Sequence, residues 1–119
     1  MSNLAVNWPG NSGTTYTFDV YEMSTDWNDV PGIYIFAKEI QSGSWKAIYV
    51  GETGSFKTRM TTSHGEWLNA LLEGVTHVHA MVDHSGSNGR LAIEDDLILS
   101  LRPPLNQKLS SGLSSLFSR

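Results

Sequence analysis

Two β-rich runs, Gly32 to Ile40 and Trp45 to Gly51, are parted only by Gln41-Ser42-Gly43-Ser44, and nothing else in the chain restricts its fold so much. A connection of hairpin length directs the runs to pair antiparallel. Counting outward from a four-residue loop sets Ile40 opposite Trp45, Glu39 opposite Lys46, Phe36 opposite Tyr49 and Tyr34 opposite Gly51. The opposite charges at 39 and 46 favour this register. Side chains alternate across a strand, so Tyr34 and Tyr49 share one face as diagonal neighbours, while Ile33, Ile35, Ile48 and Val50 line the other. The aliphatic face is expected to meet the core. On the residues alone, the two phenol rings opposite it read as cross-strand aromatic packing beside the bare Gly51.

The flanking segments extend this hairpin into a mixed fold. Thr14 to Met23 alternates, with Tyr16, Phe18 and Val20 on one side, and Val75 to Asp83 alternates in the same way. Both read as strands. Residues 1–13, with Trp8-Pro9-Gly10-Asn11-Ser12-Gly13, are rich in turn formers and read as an irregular lead-in. Thr53 or Ser55 can cap a short helix through about Thr62, with Phe56 and Met60 on its apolar seam and Arg59 near that side. Gly65 to Glu73 places Trp67, Leu68, Leu71 and Leu72 on one helical arc, expected to face the core. A longer helix runs from about Gly89 to Leu101 and stops at Arg102-Pro103-Pro104. The expectation is an α+β domain over 14–107: a central antiparallel sheet of three strands with one extra N-terminal strand, flanked by helices. In the tail, 108–119, Leu109, Leu113, Leu116 and Phe117 recur at helical spacing, which suits a docking helix or a frayed end.

Length and composition exclude several classes of protein. At 119 residues the chain is one domain's worth. It has no cysteine, so disulfides, thiolate nucleophiles and cysteine-held metals are out, and any metal must use oxygen or imidazole ligands. No apolar stretch approaches a membrane span, and a cytoplasmic location is the default expectation. Eight basic against twelve acidic residues give a net charge of −4, which argues against a general polyanion-binding surface. Neither a phosphate loop, nor a dinucleotide fingerprint, nor a nucleophile elbow is present.

The residues with chemical potential are few. On the last helix Leu91, Ile93, Leu97, Ile98 and Leu101 form an apolar arc with Glu94 in its middle, while Asp95 and Asp96 project away. An inward carboxylate needs a partner, either Arg59 or Arg90 in an ion pair, or a metal, or a wet cleft. His77 and His79 lie two apart on a strand and share a face with Met81. They read as packing or cleft lining, with metal binding as the alternative. His64 follows the Arg59 helix, either in a loop or beside the tyrosines.

Gly32-Ile33-Tyr34, Tyr49-Val50-Gly51, Arg59 on the next helix, Glu94 on a later one and Asn106 after Pro103-Pro104-Leu105 together resemble the GIY-YIG nuclease family, from about Pro31 to Gln107. The resemblance implies a metal-dependent endonuclease that hydrolyses phosphodiester bonds in DNA. It implies Tyr34 as the base or water-orienting phenol with Tyr49 beside it, Arg59 on the phosphate, Glu94 as the protein ligand of Mg²⁺ or Mn²⁺, and Asn106 in support. Where the family often has His or Tyr four residues after the arginine, Ser63 stands here, and His64 is the nearest substitute. Glu52, directly after Gly51, adds negative charge to a phosphate site. The acidic balance implies weak nonspecific affinity for nucleic acid. The competing expectation is a catalytically weak or inactive module of the same fold that binds a protein partner through the Leu109 to Phe117 segment or the tyrosine face.

Overall fold

The computed structural model describes residues 4–107. Five strands form one antiparallel sheet: β1 (Ala5–Pro9), β2 (Thr15–Glu22), β3 (Gly32–Gln41), β4 (Ser44–Thr53) and β5 (His77–Val82), in spatial order β1-β2-β5-β3-β4. Among the described residues the helices are α1 (Phe56–Arg59), α2 (Trp67–Leu72) and α3 (Ser87–Leu101), followed by helical residues 104–107. The class is α+β, with one strand more than expected. Among the described residues no helix is long and apolar enough to cross a membrane. The proposed tail at 108–119 lies outside the described residues.

The extra strand comes from the segment read as an irregular lead-in. β1 pairs with β2, setting Val6 opposite Phe18 and Trp8 opposite Tyr16. Trp8-Pro9-Gly10 does mark a turn, but one that closes this hairpin: the Gly10 N–H donates to the Thr14 carbonyl at 2.7 Å. Proline is tolerated because Pro9 ends an edge strand. Asp96 of α3 clamps the turn, accepting from the Ser12 N–H at 2.8 Å and from the Ser12 and Tyr16 hydroxyls, each at 2.7 Å. It therefore turns toward the β1–β2 hairpin, contrary to the helical-wheel expectation, because three donors converge on its carboxylate there.

In the β3–β4 hairpin, Tyr34 faces Gly51 and Phe36 faces Tyr49, as expected. Nearer the loop the expectation fails. The connection is a two-residue turn at Ser42-Gly43, with Gly43 at φ 79°; a register shift between Glu39 and Gln41 takes the strands out of the expected register and a second, between Phe36 and Ala37, restores it. Glu39 consequently faces Trp45, and Lys46 faces Lys38. The same bulge swings Ile48 to the tyrosine side, since an extra residue in one strand breaks the alternation.

Both faces of the sheet are covered, so the tyrosine face is also core. On one face Tyr34, Phe36 and Ile48 pack with Phe56 and Met60 from the α1 region, Ala70 of α2 and Leu105. On the other, Phe18, Ile33, Ile35 and Val50 pack with Trp8 and with Leu97 of α3. The Ser55 hydroxyl caps α1, accepting from the Thr58 N–H at 3.4 Å. The short α2 inverts its expected orientation. Ala70 is buried and Trp67 half-buried, whereas Leu68, Leu71 and Leu72 are 66%, 50% and 77% exposed. The helix is anchored through Ala70 and Trp67, so the leucine arc is turned outward and forgoes part of the burial that a leucine gains inside a core.

Candidate functional site

Tyr34 is the centre of the tyrosine face. Its ring lies over Gly51, where any Cβ would overlap it, and this close approach is the reason a glycine stands at 51. The ring centroids of Tyr34 and Tyr49 are 6.2 Å apart, and His64 stands edge-on to both, at 5.6 Å and 5.7 Å. Tyr34 and His64 are buried, at 1% and 4% exposure, while Tyr49 is half-buried.

The hydrogen bonds fix the proton positions. His64 Nδ1 accepts from the Glu66 N–H at 2.9 Å, so that nitrogen carries no proton. A neutral imidazole must then hold its hydrogen on Nε2, which lies 2.6 Å from the Tyr34 oxygen and donates to it. Arg59 Nε donates to the same oxygen at 3.3 Å. Two N–H groups converge on one phenol oxygen. Burial pushes the His64 imidazole down to about 4, and the Arg59 charge acts in the same direction. Burial pushes the Tyr34 phenol well above its ordinary value, with Tyr49 and Glu94 adding to the rise and Arg59 opposing it. Tyr49 is also raised, by burial and then Glu94, again against Arg59.

Glu94 sits on α3, which packs against the opposite face of the sheet, yet its charge acts on both phenols. It does so beside the last residues of β4, where the Glu52 backbone N–H bonds to its carboxylate. Burial pushes the Glu94 carboxyl up to about 7, with Glu52 and Asp95 contributing. Neither Arg59 nor Arg90 pairs with it. Arg90 Nε instead binds Glu52 Oε1 at 3.0 Å. The ion pair expected at Glu94 thus formed one carboxylate away, and Glu94 stays half-buried and unpaired among the described residues.

Asn106 serves the backbone. Its Oδ1 accepts from the Val50 N–H at 2.8 Å and its Nδ2 donates to the Val50 carbonyl at 3.0 Å, fixing β4 between Tyr49 and Gly51. Sequence reasoning did not foresee the Glu66 N–H that sets the His64 tautomer, because a backbone donor leaves no mark in residue type. The Arg90–Glu52 pair was accessible only as two separate charges.

Among the described residues no group of three or more His, Cys, Asp or Glu side chains is placed to hold a metal ion. His79 is unsuited to the task. Its Nδ1 accepts from Trp8 Nε1 at 2.9 Å, so the proton is on Nε2, and neither nitrogen offers a lone pair. His79 Nε2 has no hydrogen-bond partner, and the ring stands at 79° to Trp45 with 4.5 Å between centroids, an arrangement of packed rings. Glu94 and Glu52 offer carboxylate oxygens only, a donor set for a hard cation that keeps water or phosphate oxygens as its other ligands.

No protein-family model, curated protein or solved structure matches the chain.

Proposed function

We propose that this chain is a divalent-metal-dependent endonuclease of the GIY-YIG type, hydrolysing phosphodiester bonds in DNA. The observation that carries this reading is the Tyr34 oxygen receiving N–H groups from both Arg59 and His64, with Glu94 acting electrostatically on the same phenol.

Phosphodiester cleavage needs charge stabilisation and in-line positioning more than covalent chemistry. Arg59 is exposed and is held by side-chain hydrogen bonds to both Tyr34 and Tyr49, which leaves its remaining guanidinium N–H groups to bind phosphate oxygens. Tyr34 is too buried to meet water directly. Its work is to hold the guanidinium and the imidazole in place. Tyr49, half-buried beside it, is the phenol that reaches the attacking water and orients it by hydrogen bonding. Arg59 offsets part of the rise that burial imposes on both phenols, so the group that contacts phosphate also favours their ionised form. Glu94 is the residue to hold Mg²⁺ or Mn²⁺, relieving the carboxylate crowding with Glu52 and Asp95. A cation there would polarise the phosphate and acidify bound water. Asn106 keeps β4 in register beneath the site.

The test is cleavage of branched, nicked and single-stranded DNA with Mg²⁺ or Mn²⁺. Activity that disappears in Glu94→Ala is expected. No cleavage of any of these substrates with either metal overturns the proposal.

One observation favours a second reading, a non-catalytic module with a protein partner. Leu68, Leu71 and Leu72 face outward on α2 of a chain whose net charge is −4. A partner that co-purifies with the chain and is lost in Leu68→Glu, together with an absence of cleavage, would favour this reading.

A further inference from the structure

The loop between β2 and β3 closes a cleft of about 110 Å³ over β2 and β5, on the same face of the sheet as Tyr34. Tyr34, Tyr49, Arg59, His64 and Glu94 are all absent from its walls. Three rings line it. Trp27 lies 5.0 Å from Tyr21 at an interplanar angle of 59°, and 5.5 Å from Phe56 at 38°. Phe56 is buried at the base, while Tyr21 and Trp27 are half-buried and keep part of their surface open. Asp19 and Asp26 also line the cleft, both exposed, and no lysine, arginine or histidine does. Asp19 is close enough that its charge, after burial, raises the Tyr21 phenol. Neither carboxylate is in an ion pair among the described residues.

The loop that carries Trp27 is tied down at both ends. Near β2 the Thr25 N–H and hydroxyl both donate to the Glu22 carbonyl, at 3.1 Å and 2.7 Å. Near α1 the Phe56 and Lys57 N–H groups donate to the Val30 and Asn28 carbonyls, at 3.0 Å and 3.2 Å. The rings are therefore held in place before any ligand arrives, which lowers the ordering cost of binding.

A small, ring-walled cleft with two unpaired carboxylates suits one kind of ligand chemistry. Anions are repelled. A neutral apolar group would gain from the rings but leave the carboxylates unanswered. A bare ammonium keeps its water shell, whereas a methylated ammonium spreads its charge over methyl groups that pack against ring faces. We propose that this cleft binds a quaternary or methylated ammonium group. The rings hold the methyls, and Asp19 and Asp26 supply the field that draws the charge in. This site shares no residue with the nuclease reading and stands or falls without it.

The experiment follows the indole N–H resonance of Trp27, resolved from those of the other three tryptophans. The full chain is titrated with tetramethylammonium, choline, a trimethyllysine peptide and the neutral isostere 3,3-dimethylbutan-1-ol. Saturable shifts are expected with the cations, and binding of the neutral isostere about tenfold weaker. The Asp19→Asn, Asp26→Asn double variant replaces exposed residues and should fold normally, and it should erase that preference. Trp27→Ala, followed by isothermal titration calorimetry because it lacks the reporting indole, should abolish binding. Tighter binding of the peptide than of choline would assign the cation to a protein side chain, and the reverse order to a free small molecule. Equal binding of the neutral isostere, full affinity in the double asparagine variant, or no shift of Trp27 with any cation overturns the proposal.

Discussion

His64 and His79 are buried to similar degrees, on opposite faces of one sheet, and a titration would barely tell them apart. Each Nδ1 accepts an N–H, from Glu66 in one case and Trp8 in the other, so each carries its proton on Nε2. Burial pushes both down to about 4. What separates them is what that second nitrogen meets. For His64 it is a phenol oxygen already bonded to a guanidinium, and for His79 it finds no hydrogen-bond partner at all. Burial and protonation state therefore do not separate the two histidines. The partner at the second nitrogen does, and it is what gives His64 a part in the proposed nuclease site.

The largest expected effect is on the packing side. His79→Ala empties a fully buried position and strands the Trp8 N–H, and it should cost about 3–5 kcal/mol in urea unfolding. Cleavage per folded molecule should be unchanged. A loss of specific activity there would blur the distinction between the two histidines. On the other face, His64→Gln should lower cleavage about a hundredfold, roughly 2.7 kcal/mol of transition-state stabilisation, with a smaller loss of stability.

The pH dependence tests both histidines at once. Their folded values lie near 4, below the unfolded value of about 6.5, so the unfolded chain binds more protons between these limits. Their contribution is complete above about 6.5 and is lost as pH falls toward 4. Glu94 works in the opposite sense. Raised to about 7, its carboxyl favours the folded state at low pH, and that advantage is lost as pH rises through about 7. One of the two histidine protons is thus offset between about pH 4.5 and 6.5. Glu94→Gln should steepen the loss of stability on acidification and raise stability at pH 8 by about 1–2 kcal/mol, as read by chemical denaturation against pH. An unchanged slope would mean that the Glu94 carboxyl is not raised. The smallest effect belongs to Tyr34→Phe, which should cost about 1 kcal/mol by leaving the Arg59 and His64 N–H groups without their shared acceptor.

The sequence made the α+β class legible, along with the Tyr34–Gly51 and Phe36–Tyr49 pairs, because alternation and a short loop are local signals. It did not make β1 legible, since Trp8-Pro9-Gly10 describes the end of a hairpin as well as it describes a coil. The bulge after Phe36 was equally hidden, and with it the move of Ile48 to the other face, because a register shift depends on how the turn at Ser42-Gly43 closes. The outward leucines of α2 oppose their own periodicity, because the helix is anchored on Ala70 and Trp67 and not on the leucine arc. At the candidate site, residue types indicated Tyr34, Tyr49, Arg59 and Glu94 but not their order of burial. In the proposed nuclease that order gives the water-facing role to Tyr49 in place of Tyr34. For Glu94 the sequence left an ion pair with Arg59 or Arg90, a metal and a wet cleft all open, and Arg90 is taken by Glu52 instead.

The double bond from Asn106 to Val50 has a consequence beyond the site. β4 is an outer strand of the sheet, and such a border offers its free amides and carbonyls to any extended chain that drifts past. One carboxamide, matching both groups of a single residue, imitates a neighbouring strand at Val50 and takes those two groups out of reach of another chain. The same side chain that steadies the tyrosine hairpin thereby interrupts the open border partway along its length.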